Sequence, residues 1–236
     1  RHTLFILGIN AYHGDSYACL IQDGRIIAAI EEERIRRIKH WAGFPTRAIK
    51  YCLEEANLKP QEIDHIAFSR NPMAHLMEKV VFTLRRRPDV SLIRSRLANM
   101  RRVQGARDPL TDALGVDIRQ LKTKVHRVEH HASHSASAFF VSPFEEAAVV
   151  SVDAFGDFRS TMISHGQSNQ MRKLRSVEFP HSIGLLYTAV TQYLGFPRYG
   201  DEYKVMGLAS YGQPTYIEEF RRMVRTEPKG TFKLNL

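Results

Sequence analysis

Six consecutive residues, Glu129-His130-His131-Ala132-Ser133-His134, hold the densest concentration of reactive side chains in this 236-residue chain. Residues four apart lie on one face of a helix, so a helix that starts by about His130 lets the imidazoles of His130 and His134 converge on one divalent cation. Two nitrogens do not make a site. Asp153 supplies a carboxylate at the end of the next apolar strand, Ala147 to Val152, and strand ends in open α/β sheets point into the ligand crevice. Two histidines and a carboxylate suit Fe(II), Zn or Mn and leave positions open for substrate. The spacing is equally compatible with a histidine-rich helix start whose imidazoles face water, because the pair lacks the glutamate of a metalloprotease helix.

Three further stretches carry chemistry. The loop Gly8 to Ser16 places His13 between Gly8 and Gly14, where backbone amides can cradle phosphate oxygens and a neutral imidazole can deprotonate an alcohol. The ordinary alternative is a turn histidine exposed to water. In the run Glu31-Glu32-Glu33-Arg34 through Lys39-His40, three acids ahead of a row of bases read either as an internally paired helix start or as a source of Arg34 or Lys39 for a phosphate. Around Lys204, the passage Tyr199 to Gly212 mixes glycines with a lysine, which suits anion binding but is a weak signal alone.

The elements that must position these groups follow from periodicity and turn chemistry. Leu4 to Asn10, Ser16 to Gln22 and Arg25 to Glu31 read as a β-meander, with Asp23-Gly24 as the hairpin turn of its last two strands. A helix over Thr46 to Ala56, capped by Thr46, and a strand over Ile63 to Ser69 come next. Residues Met73 to Arg107 lack a tight apolar stripe and read as an inserted helical arm. A strand into His130 and a small-residue helix from Ala132 to Phe140 precede a second cycle. In that cycle the Ala147 strand ends at Asp153, and a second strand turns at His165-Gly166. Helices over Ser182 to Leu194 and Tyr216 to Val224, then a strand from Thr231, complete the chain. In both cycles a hydrophobic strand ends in a polar residue, Asn10 or Asp153, before a glycine-containing loop, which predicts two related lobes facing one cleft.

Composition narrows the class. With 43% hydrophobic residues the chain can bury one sizeable core or two smaller ones. No run approaches the roughly 18 apolar residues of a membrane span, and the first strand is too short for a signal peptide, so a cytoplasmic location and no membrane partner are expected. Cys19 and Cys52 form no disulfide framework and read as buried thiols. The net charge of +9 resides in one window, Lys79 to Arg127, where thirteen Lys and Arg face four acids. Without interleaved aromatics or a zinc-finger pattern, that charge reads as a solvated face or anion-attracting rim, which argues against nucleic acid as partner.

Taken jointly, the segments resemble the amino-terminal part of the NodU/CmcH-type carbamoyltransferases. The resemblance is carried in family order by Leu7-Gly8-Ile9-Asn10 with His13 and Ser16, by Glu31-Glu32-Glu33-Arg34 with Lys39-His40, and by the His130/His134 pair. Val152-Asp153 and Glu202-Tyr203-Lys204-Val205-Met206-Gly207-Leu208-Ala209 complete it. It implies an α/β, actin-like ATPase (ribonuclease H-like) duplicated fold akin to the tRNA threonylcarbamoyl-transferring proteins. The first lobe is then expected at 1–146 with a basic helical insertion at 72–122, and the truncated start of the second at 147–236.

The same resemblance implies metal ligation by His130, His134 and Asp153 with Fe(II), Zn or Mn, His13 as base, and Asn10, Lys39 and Lys204 as holders of carbamoyl-adenylate. ATP and carbamoyl phosphate would supply that donor through a YrdC-like domain downstream or in trans, and a small-molecule hydroxyl would accept the carbamoyl group. A homodimer is compatible with it, and activity of this length alone is not expected. Two other readings stay open on the residues: a basic tRNA or nucleic-acid module using Arg85 to Arg107, and a sugar-kinase-like ATPase.

Overall fold

The computed structural model describes residues 3–86 and 109–236. The greater part of the expected basic arm, 87–108, lies outside the described residues. The chain divides into two compact units, Arg1–Val128 and Glu129–Leu236.

In the first unit, β1 (Phe5–Asn10), β2 (Tyr17–Gln22) and β3 (Arg25–Glu31) form the expected antiparallel meander. Asp23 and Gly24 take φ of 48° and 83°, the left-handed pair that lets a two-residue hairpin follow the twist of its strands. Helices α1 (Glu32–Arg36) and α2 (Thr46–Glu55) come next. They lead to β4 (His65–Phe68), α3 (Leu76–Arg86), α4 (Pro109–Leu114) and β5 (Lys124–Arg127). The sheet order is β3-β2-β1-β4-β5, with β4 parallel to both β1 and β5.

The core forms where α2 lays Ala48, Ile49, Cys52 and Leu53 on the sheet face carrying Leu7, Ile9, Leu20 and Ile66. Each large apolar side chain so buried contributes about 1.5–3 kcal/mol. Burial pushes the Cys52 thiol up to about 11, so it is an inert packing group. Thr46, the expected cap of α2, is its first helical residue instead. The acceptor comes from another element: the fully buried Glu32 carboxylate takes the amides of Ala48 at 2.8 Å and Arg47 at 3.3 Å and pairs with Arg36 Nε at 2.6 Å.

The second unit opens with α5 (His130–Phe139), followed by a second meander of β6 (Glu146–Gly156), β7 (Arg159–Gln167) and β8 (Gln170–Glu178). The turn between β7 and β8 falls after Gln167, with Ser168 at φ 51°, and not at His165-Gly166. His165 lies within the strand and meets Glu146 across it at 2.7 Å. Then come α6 (Ile183–Tyr193), α7 (Glu202–Ala209) and α8 (Ile217–Met223). The antiparallel pair β9 (Val224–Glu227) and β10 (Thr231–Leu234) completes the described chain.

Both units therefore contain a three-stranded antiparallel meander. In the first, parallel β4 extends it beyond β1. The units divide at 128/129, ahead of the 146/147 boundary expected from sequence, because α5 packs on β6 and β7. Among the described residues no helix is long and apolar enough to cross a membrane.

Candidate metal centre

Helix α5 begins at His130 because Glu129, in an extended conformation, caps it: Glu129 Oε2 accepts the amide of Ala132 at 2.8 Å. Asp157 Oδ2 accepts the amide of His130 at 3.0 Å. These two carboxylates satisfy donors that a helix start otherwise leaves open. The buried stripe His131, Ser135 and Phe139 repeats every four residues and faces the sheet, which rotates His130 and His134 onto the adjoining stripe.

Close approach of helix and sheet depends on glycine. A Cβ at Gly156 would stand 1.9 Å from His130 Cδ2, and one at Gly166 would stand 2.8 Å from the Phe139 ring. Real Cβ contacts are never that short, so each glycine is the seat of an aromatic ring. Gly184 plays a similar part on the far side, where a Cβ would meet the Asp153 carbonyl and the Ala154 amide at 2.7 Å. Ser182, the cap of α6, donates its hydroxyl to the Ala154 carbonyl at 2.6 Å. The backbone that presents Asp153 is thus clamped.

The three predicted ligands meet. His130 Nε2 lies 2.7 Å from Asp153 Oδ2, His134 Nε2 lies 3.4 Å from the same oxygen, and the two Nε2 atoms are 3.0 Å apart. Donor atoms about 2.0–2.2 Å from a first-row divalent ion stand roughly 2.8–3.6 Å from one another in tetrahedral or octahedral geometry. Two of the three separations fall in that span and the third, 2.7 Å, stands at its lower edge, so the donor set suits such an ion in spacing and type. Exposure rises from the His130 side chain at 11% through Asp153 at 31% to His134 at 52%, so the meeting point is reached from solvent past His134.

Hydrogen bonds from His130 and His134 hold the Asp153 carboxyl well below the usual carboxylate range. The same contact raises His134 above the ordinary imidazole value. Asp153 Oδ1 accepts the Ala154 amide at 2.6 Å, which leaves Oδ2 aimed at the imidazoles. His131 is different in kind. It is fully buried, its Nε2–H donates to the Arg159 carbonyl at 3.0 Å, and its Nδ1 accepts the Ser151 hydroxyl at 2.7 Å. Burial pushes its imidazole below the ordinary value, so it is a neutral packing group.

The other predicted residues lie elsewhere. In the first unit, Asn10 donates its side-chain amide to the Asp15 carbonyl at 3.3 Å and accepts the Ser69 hydroxyl at 2.9 Å. It ties the His13 loop to the sheet. His13 is half-buried and its carbonyl accepts the Ser16 hydroxyl at 3.2 Å. The loop is bound to the Lys39 segment by Ser16 Oγ on Gly43 O at 2.7 Å and by His40 Nδ1 against Asp15 Oδ1 at 2.8 Å. Lys39 itself is exposed on a turn. In the second unit, Lys204 sits within α7, not in a glycine loop. Its Nζ is 2.6 Å from Oδ1 of the buried Asp201.

Sequence reasoning assigned no positioning role to Glu129, Gly156, Arg159, Ser182 or Gly184. Only Ser182 had a local signal, a serine just before an apolar helix. The importance of the others lies in what they approach.

An α/β chain whose second unit brings two imidazoles and a carboxylate to one point is the class of protein that the geometry defines. The family described as Carbamoyltransferase N-terminus matches residues 5–236, and the chain belongs to that family. An uncharacterized protein of Synechocystis is 42% identical over 98% of this chain and 38% of its own length. The nodulation protein NolNO of Sinorhizobium fredii is 35% identical over 96% of this chain and 32% of its own. The chain thus spans about a third of the length of these curated relatives. Among solved structures, YeaZ from Pseudomonas aeruginosa aligns at 16% identity and a TM-score of 0.37, covering 88% of this chain and 92% of its own.

Proposed function

We propose that this chain is the amino-terminal part of an O-carbamoyltransferase that moves a carbamoyl group from carbamoyl-adenylate to the hydroxyl of an antibiotic, sugar or nodulation-factor acceptor. The reading rests on one observation, the convergence of His130, His134 and Asp153 on a common point in a member of the carbamoyltransferase family. A divalent iron, zinc or manganese ion held by those residues would act as a Lewis acid toward the phosphate of the leaving nucleotide.

The chain's own residues account for the remaining steps. An imidazole nitrogen of His13 takes the acceptor's hydroxyl proton while the acceptor oxygen bonds to the carbamoyl carbon. The bond from that carbon to the phosphate oxygen breaks, and AMP departs with the electron pair. Lys39 offers an exposed ammonium to phosphate oxygens. Asn10 serves by holding the His13 loop, and Lys204 serves the nucleotide by exchanging Asp201 for a phosphate oxygen.

In this reading the frame is actin-like, with a second lobe completed by the longer polypeptide, and the work is cytoplasmic. A YrdC-like domain, downstream or in trans, makes the donor from ATP and carbamoyl phosphate.

Metal analysis tests it. The purified chain, equilibrated with Fe(II), Zn or Mn and desalted, is expected to retain about one equivalent, and His130→Ala is expected to lose most of it. Equal metal content in the two proteins would remove the centre. Product mass in the full-length context separates carbamoylation from phosphorylation of the acceptor.

A further inference from the structure

Behind the three ligands lies a buried charge system that the metal reading leaves unused. Arg159, the first residue of β7, is only 5% exposed. Its guanidinium sits between two carboxylates, with Nη1 3.8 Å from Glu129 Oε1 and Nε 3.8 Å from Glu178 Oε1. Those separations are ion pairs without formed hydrogen bonds, and Nε makes no hydrogen bond among the described residues. A guanidinium taken out of water is retained only where opposite charge offsets its lost hydration. Here Glu129 and Glu178 supply that charge.

Each member of the triad belongs to an element that presents or seats a ligand. Glu129 immediately precedes His130, and its other oxygen, Oε2, caps α5 through the Ala132 amide. The backbone of Arg159 pairs with Gly156, the seat of the His130 ring, and its carbonyl accepts from His131. Glu178 is the register partner of Arg159 on β8. Arg159 thereby links the helix start, the glycine seat and the outer strand.

We propose that Arg159 is a positioning residue for the divalent-cation centre: its buried charge holds the Glu129 cap and so fixes the first turn of α5, from which His130 and His134 project. The proposal rests on the metal reading above and goes beyond it, because it assigns affinity to a residue that never touches the ion. Groups that orient ligands from behind change metal affinity by about 10–100-fold.

Co(II) is the probe, with its dissociation constant measured by chelator competition and its d–d absorption recorded, at matched far-UV circular dichroism. Arg159→Met is expected to bind about 10–100-fold more weakly with an altered spectrum, while Arg159→Lys, which keeps the charge, restores most of the affinity. Glu129→Gln can still cap Ala132 through its amide oxygen but has no charge for Arg159. It is expected to weaken binding in the same direction, and it decides the matter should Arg159→Met fail to fold. A wild-type chain that takes up no Co(II) removes the metal reading itself. If the wild type binds, and Arg159→Met and Glu129→Gln match it in affinity and spectrum, the positioning role alone is overturned. Equal losses in Arg159→Lys and Arg159→Met overturn the part assigned to charge.

Discussion

Each unit brings an imidazole and a carboxylate into one cluster, and the two clusters put the same chemistry to different ends. In the first unit, Asp15, Glu33 and His40 present donor atoms within 4.8 Å of one another, as His130, His134 and Asp153 do in the second. Proximity does not separate them, and each holds an imidazole within hydrogen-bond distance of a carboxylate oxygen; what differs is the third donor, a carboxylate already bound to a backbone amide in the first and a second imidazole in the other. Glu33 Oε2 accepts the backbone amide of His40 at 2.7 Å, and its other oxygen is 4.0 Å from Arg34 Nε. Asp15 Oδ1 is taken by His40 Nδ1, and Arg34, Arg37 and Lys39 add positive charge in the same segment. That cluster is a clamp between two loops. In the second unit, backbone and carboxylate contacts behind His130, His134 and Asp153 leave two Nε2 atoms and one oxygen directed at a single point.

The difference can be broken at three places. Gly156→Ala should have the largest effect, because the new methyl would occupy the space of the His130 ring. Metal affinity is expected to fall about 10–100-fold and stability by about 1–3 kcal/mol, read by Co(II) titration and urea denaturation. Gly43→Ala, whose methyl crowds the Trp41 indole in the first unit, should leave the titration unchanged.

His131→Phe comes next. It keeps a flat aromatic ring, slightly larger, but strips the Ser151 hydroxyl and the Arg159 carbonyl of their partner, at a cost of about 2 kcal/mol. Burial depresses the His131 imidazole, so the unfolded chain binds a proton that the folded chain does not. That contribution to stability is complete above the ordinary histidine value of about 6.5 and is lost as pH falls below it. The difference between wild type and His131→Phe should therefore shrink as urea midpoints are measured from pH 7 toward pH 5. A difference that is constant or grows with acidity would mean that His131 is not held neutral.

The smallest effect is expected from His40→Ala, which removes the contact with Asp15 and should cost the first unit about 1 kcal/mol in the same assay. Metal stoichiometry should not change. A wild type that retains about two equivalents and a His40→Ala variant that retains one would make the first cluster a second metal centre, and the two clusters would not differ.

The meander, the Asp23-Gly24 hairpin and helices α2, α5, α6 and α8 were legible because each follows from contacts a few residues apart. The four-residue spacing of His130 and His134 belongs to the same class. Errors arose where a local signal had a distant competitor. Thr46 resembles a cap, but Glu32 reaches α2 from α1 and takes the amides first. The glycines around Lys204 suggest a loop, yet the segment is helical and its lysine is paired with Asp201. His165-Gly166 resembles a turn, but cross-strand pairing carries β7 on to Gln167.

From the sequence alone came the types of the donors, the face of the helix that two of them share, and the strand that carries the third, although that strand does not end at Asp153 but runs on through a register shift to Gly156. Tertiary structure decided that Asp153 meets His130 across 23 residues, that Gly156 admits the ring, and that Arg159 is buried between two glutamates. The physical reason is one of range. Helical periodicity and turn geometry are settled by neighbouring residues, whereas the packing of a helix on a sheet depends on strand register and on which side chains are small enough at the point of contact.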